Sequence, residues 1–202
     1  MPRRPRLQII GGIYHCTQHG INDLPIFRSD GDRQTFLGYL GEEIARSEWE
    51  CLAYSLMRTH YHLLIRLTKK TLSSGFQRLD GRYAQTFNLR YGRRGHVFER
   101  RFRDVLVESD VHRYEAARYI HLNAPKVNAS LSPEEYPWCD FAATMGLVAP
   151  DPYVDPGRAL ELFGHDLEAA RAMYALYMAE RDPRVRRGYV GVRPGPDPGF
   201  RR

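Results

Sequence analysis

The octapeptide HYHLLIRL at residues 60–67 constrains this chain more than any other stretch. Successive side chains of an extended strand point to opposite faces, so Tyr61, Leu63, Ile65 and Leu67 share one face and His60 and His62 lie side by side on the other. The first face is apolar and must meet helices. The second sets two imidazoles in line with Leu64 and Arg66.

The flanking pattern supplies the rest of the sheet. Leu7 to Thr17, with Ile9, Ile10, Ile13, Tyr14 and Cys16 around Gly11-Gly12, reads as a first strand carrying a glycine bulge. Asp23 to Phe27 is a loop, and Ser29 or Asp30 caps a helix whose Phe36, Leu37, Leu40 and Ile44 recur at helical spacing to about Ser47. Trp49 to Met57 pairs with His60 to Leu67 through the tight Arg58-Thr59 connection. Leu72, Phe76, Leu79, Tyr83 and Phe87 mark a second helix, capped by Thr71 or Ser73, that ends near Gly92 and is weakened by Gly75 and Gly81. Arg101 to Val107 is a fourth strand. Ser109 or Asp110 then caps a third helix to about Asn123, before Pro125 and a loop over Ser130 to Pro137.

The order β-α-β-β-α-β-α predicts an α+β fold of the ferredoxin-like, split β-α-β kind. Two helices cover one face of an antiparallel sheet, and the seventh element takes the other face or an end. A chain of 202 residues holds about one domain of 150 and a remainder. We expect a main domain at 1–148, a small helical appendage at 149–183 with two helices joined at Gly164, and a flexible Arg/Gly/Pro-rich tail at 184–202.

Composition narrows the partners. Thirty Lys and Arg against 24 Asp and Glu leave a net charge of +6, mostly from arginine, which favours phosphate-bearing partners. No apolar run approaches the roughly 20 residues of a membrane helix, and the basic N-terminus lacks a signal-peptide core, so no membrane partner and a cytoplasmic location are expected. Cys16, Cys51 and Cys139 are odd in number and widely spaced, and read as reduced thiols.

Three groups of residues could carry chemistry. His60 and His62 on one strand face could share a divalent metal. Tyr119 and Asn123, four apart on the third helix, stack on one face, with Arg118 and His121 directed elsewhere. If that helix lies over the histidines, Asn123 completes a His-His-amide site and Tyr119 stands beside it as a nucleophile. Singly, each group has an ordinary structural explanation, a strand histidine pair or a core tyrosine. The third group is the run from Arg78 to Arg103, where Arg78, Arg82, Arg90, Arg93, Arg94, Arg100, Arg101 and Arg103 alternate with aromatic residues. Arginine on phosphates and rings on unpaired bases are the devices of single-strand binding, although a solvated basic helix face over core aromatics would read the same way.

Several segments in order carry a resemblance: GGIYHCTQHG at 11–20, PIFRSDGDRQTFL at 25–37, HYHLLI at 60–65, LDGRYAQTFN at 79–88, GHVFERRFRDVLVES at 95–109, RYIHLN at 118–123 and YPW at 136–138. Over about residues 7 to 143 the chain resembles the REP-associated tyrosine transposases, relatives of the single-tyrosine HUH transposases of small bacterial insertion sequences. The resemblance implies that His60 and His62 are metal ligands, that Asn123 completes the metal site and that Tyr119 is the nucleophile. It implies a nuclease and strand transferase that uses Mg²⁺ or Mn²⁺ on single-stranded DNA beside a palindromic hairpin. Cleavage would leave a 5′-phosphotyrosine bond and a free 3′-hydroxyl, at the nucleoid of a bacterial cytoplasm. Oligomeric state stays between monomer and homodimer, with the monomer favoured.

Two departures stand out. Arg58-Thr59 replaces the family's usual Pro-Asn before the first histidine, and Ala124-Pro125-Lys126-Val127 replaces its Pro-Val-Arg-Ala, which delays proline by one residue. His15 fits the family pattern and is a candidate to support the metal ligands or touch DNA, with a satisfied strand histidine as the plainer alternative. His19, His96, His112 and His165 show no partner spacing. The competing function is a binding module of transposase ancestry that holds hairpin DNA or structured RNA without cutting.

Overall fold

A computed structural model describes residues 6–123 and 132–179. Four strands, β1 (Ile13–His19), β2 (Trp49–Leu56), β3 (His60–Leu67) and β4 (Arg103–Val107), form one sheet in the order β2-β3-β1-β4 with every neighbouring pair antiparallel. Helices α1 (Asp30–Ser47) and α2 (Leu72–Arg90) cover one face, and α3 (Asp110–His121) covers the other. This is the expected ferredoxin-like arrangement with its extra helix.

Alternation in the strands produces both layers. Tyr14 and Cys16 of β1 and Tyr61, Leu63, Ile65 and Leu67 of β3 pack with Phe36, Leu40, Phe76, Leu79, Tyr83 and Phe87 of α1 and α2. Each such buried side chain contributes about 1.5–3 kcal/mol relative to its exposed state. Gly75 is required here, because a Cβ would lie 2.2 Å from the Trp49 ring. On the opposite face Ala116 and Ile120 of α3 meet Leu52, Ala53 and Leu64.

Local chemistry sets the helix starts. The Ser29 hydroxyl accepts from Asp32 N while the Asp32 carboxylate accepts from Ser29 N at 3.1 Å, a reciprocal cap that makes Ser29 the residue before α1. Thr71 precedes α2 but does not cap it with its side chain, which instead accepts from Trp49 Nε1 at 2.9 Å. Gln8 takes over, its side-chain carbonyl accepting from Leu72 N at 2.8 Å. Ser109 caps α3 by accepting from His112 N.

The first strand differs from expectation. It begins at Ile13 rather than Leu7 and runs on to His19, because Gly11 takes a left-handed φ of 81° and Gly12 N donates back to Ile9 O, turning the chain before the strand. The bulge sits in β2, where pairing shifts between Cys51 and Ala53 and turns both Leu52 and Ala53 toward α3. The fourth strand begins at Arg103 rather than Arg101.

Beyond α3 come α4 (Phe141–Thr144), α5 (Pro156–Ala159) and α6 (Leu167–Ala179). Gly164, at φ 132°, ends the short 3-10 turn Glu161–Phe163 ahead of α6. Cys139 and Phe141 share one apolar cluster with Leu160, Ala170 and Tyr174, so the packing continues across position 149. The carboxylate of Glu161 accepts from Arg66 and Arg113 and ties this segment to β3 and α3. All three cysteines are buried and free. Among the described residues no helix is long and apolar enough to cross a membrane. The tail 184–202 and the Ala124-Pro125-Lys126-Val127 stretch lie outside the described residues.

Candidate active site

The site grows from the register of β1 on β3. His15 pairs with Leu64, Thr17 with His62 and His19 with His60, so side chains 15, 17 and 19 share a face with 60 and 62. His62 Nδ1 lies 3.0 Å from His15 Nε2 and 3.1 Å from Thr17 Oγ1. His60 Nδ1 lies 3.1 Å from Thr59 Oγ1, and the His60 ring stacks on His19 with centroids 4.8 Å apart and planes 13° off parallel. Both predicted ligands are therefore met by a neighbouring polar atom at Nδ1.

The protonation of the cluster follows its burial. His15 is 1% exposed, and burial, assisted by the nearby His112, lowers its pKa to about 3. It is a neutral imidazole whose Nε2 can accept from His62 Nδ1–H. Burial also lowers His19, opposed by Asp23 and Glu99 and assisted by Arg103 and Arg100.

Helix α3 lays Tyr119 over this cluster. Its ring meets His62 edge-on at 5.4 Å between centroids and His15 at 5.8 Å. Burial pushes the Tyr119 phenol up, so the neutral hydroxyl is the resting form. Asn123 follows Leu122, the residue that ends α3, and is 5% exposed, with no hydrogen-bond partner for Nδ2 among the described residues. His121 and Arg118 turn away, as their spacing implies. His121 Nδ1 meets the Tyr174 hydroxyl at 2.7 Å and Nε2 meets Asp140 Oδ1 at 3.1 Å. Asp140 also accepts from Tyr54 N at 2.6 Å and from Thr144 Oγ1 at 3.0 Å, which fixes the end of α3 against β2 and α6.

The connection before His60 also has a defined task. Arg58 O accepts from Ile26 N and Phe27 N, and Thr59 O accepts from Gly20 N at 2.8 Å, so this pair anchors the loop after β1 while the Thr59 side chain holds His60.

The eight arginines do not form one surface. Arg78, Arg82 and Arg90 pair with Glu43, Glu42 and Asp32 and stitch α2 to α1, on the side of the sheet away from the histidines. Arg93 is half-buried, its guanidinium 5.6 Å from the Phe87 ring centroid. Arg94, Arg100, Arg101 and Arg103 are exposed, and Arg103, opposite Thr17 in the register, lies on the histidine face.

Sequence reasoning passed over Thr17, Thr59 and His19. An alternation of His15, Thr17 and His19 was readable, but their meeting with His60 and His62 depends on a long-range register. Among the described residues no group of three or more His, Cys, Asp or Glu side chains could hold a metal ion.

The geometry of two strand histidines beneath a helix tyrosine can be set against known proteins. The sequence pattern described as Transposase IS200 like matches residues 11–123, more than half of the chain. The chain belongs to the IS200-like transposase family.

The matched span of this IS200-like transposase runs from the start of the sheet to Asn123 and includes every candidate metal ligand and the tyrosine. No curated protein matches it in sequence. A solved structure of a REP-associated tyrosine transposase bound to a REP hairpin has the same fold, with a TM-score of 0.59 and 17% identity over 72% of this chain and 86% of that one. A candidate transposase from Deinococcus radiodurans aligns at 15% identity and a TM-score of 0.42 over 59% of this chain and 95% of that one.

Proposed function

We propose that this transposase is a metal-dependent single-strand DNA endonuclease and strand transferase that cuts beside hairpin sequences through a 5′-phosphotyrosine link. The observation that carries the reading is the Tyr119 ring lying 5.4 Å from His62, on the helix that leads directly to the buried Asn123. A phenol and two imidazoles from distant parts of the chain have no structural need to converge.

His60 and His62, through Nε2, and Asn123, through its side-chain oxygen, would hold Mg²⁺ or Mn²⁺, a donor set that suits a cation bound also by phosphate oxygens. Asn123 is 5% exposed directly after α3, a buried polar position that a ligand role would account for. When bound, the cation withdraws charge from the scissile phosphate.

Tyr119 supplies the nucleophile. Its oxygen bonds to phosphorus as the P–O3′ bond breaks, the phenol loses its proton and the departing 3′-oxygen gains one. The tyrosine ester retains the bond energy, so rejoining to another 3′-hydroxyl needs no nucleotide cofactor. His15 and Thr17 act as positioning residues that fix the His62 ring. A hairpin as the partner is supported by the REP hairpin bound in the solved structure of like fold.

The test is incubation with Mn²⁺ and single-stranded oligonucleotides bearing hairpins from beside the protein's own gene. The expected result is an SDS-resistant adduct that disappears with chelator. Tight hairpin binding without any adduct would overturn the reading in favour of a non-cutting binding module.

A further inference from the structure

A cavity lies across the sheet from the histidines. It is an open cleft of about 710 Å³ between α2 and the segment leading into β4, within the range of small-molecule pockets. Phe76 and Phe102, stacked at 4.1 Å, form an apolar wall. Asp80 and Gln18 supply polar lining, and the exposed Arg100 and Arg101 line it as well.

Asp80 is held rigidly. Its Oδ1 accepts from the Tyr61 hydroxyl at 2.5 Å and its Oδ2 from Gln18 Nε2 at 2.9 Å. Each carboxylate oxygen can still accept one more bond, so two adjacent donors of a ligand can be met together. Burial raises its pKa to about 6, against the lowering effect of Tyr61 and Gln18, and the carboxylate is the main form at neutral pH.

We propose that this cavity takes one unpaired guanine of the bound strand, with Asp80 accepting from the N1–H and N2 amino group of the base. Of the four bases, only guanine presents two adjacent donors on its unpaired edge. Adenine and cytosine set an acceptor beside one amino group, and thymine has one N–H between carbonyls. The buried Phe76 and Phe102 and the half-buried Phe98 give the base an apolar bed, and the arginines meet its phosphates. The cavity is also joined to the histidine face. Glu99 N donates to His19 O at 3.0 Å and Ile21 N donates to Val97 O at 2.9 Å, so its wall is laced to the end of β1 that carries His19.

The inference rests on the proposed binding of single-stranded DNA, and its test separates the two. Labelled dT12 strands with a central dG, dI, dA or dC are titrated against the full chain in chelator, where no cutting occurs. Binding should be about tenfold tighter for dG than for dA or dC, with dI, which lacks the N2 amino group, between them. Asp80→Asn should equalise dG and dA. Gly81→Leu should do the same by filling the cavity, because a Cβ at Gly81 meets nothing within 4 Å and leucine favours a helix. Equal affinities in the wild type, or a dG preference that survives both substitutions, would overturn the assignment. Adduct formation on hairpin oligonucleotides is scored in parallel. A dG preference without adduct defeats the cutting chemistry and supports the cavity, and adduct without the preference does the reverse.

Discussion

Tyr14, Cys16, Tyr61 and Leu63 lie under α1 and α2 with exposures of 1% or less, whereas one residue away on the same strands His15, Thr17, His60 and His62 face α3. Two helices and a dense set of aromatic rings close the first face. A smaller apolar contact secures the second, which leaves His19, His60 and Tyr119 half-buried toward its open end. The difference separates tasks. The helix-covered face supplies stability, and because side chains alternate with period two, it also fixes where every histidine points.

Damage on the two faces should therefore be unequal. Phe36→Ala removes a fully buried ring that meets Phe27, Tyr61 and Tyr83, and should cost about 3–5 kcal/mol in urea melts. Thr17→Val keeps the shape but removes the bond to His62, and should cost about 1 kcal/mol while adduct yield falls severalfold. Equal losses of stability would erase the contrast.

The helix-covered face has its own polar exception in Asp80. Its folded pKa of about 6 lies above the ordinary carboxylate value, so the folded state binds the proton more tightly and stability falls as pH rises from about 4 to 6. Relative to Asp80→Asn, the wild type should lose about 1–3 kcal/mol between pH 4 and pH 7 in paired urea melts. A constant difference between the two would remove the case for a buried carboxylate there.

Much of this architecture was legible because it is local. The alternation in residues 60–67 placed His60 and His62 together and set the apolar face of β3, and helical spacing set Tyr119 apart from His121. What escaped was long-range. His19 meets His60 only through the β1–β3 register, and Gln8 caps α2 from 64 residues away. The acidic partners of Arg78, Arg82 and Arg90 stand on α1, invisible in a count of basic residues. Gly11 reads as a bulge from sequence because a strand and a turn entering one share the same apolar residues.

A smaller effect should sharpen the division among the arginines. Removing Arg93 and Arg94 should reduce the salt slope of DNA binding by about 1–2, whereas Arg82→Ala, which loses an exposed pair with Glu42, should leave it nearly unchanged. Salt-independent binding by the wild type would count against any phosphate-tracking role.

The central claim is that Tyr119 performs the chemistry over the histidine pair. The direct measurement is mass spectrometry of the protein–DNA adduct formed with Mn²⁺, after nuclease and trypsin digestion. The account predicts nucleotide mass on the peptide spanning residues 119–126, and no adduct from Tyr119→Phe with DNA binding retained. An adduct on any other tyrosine, or one that survives Tyr119→Phe, would contradict it.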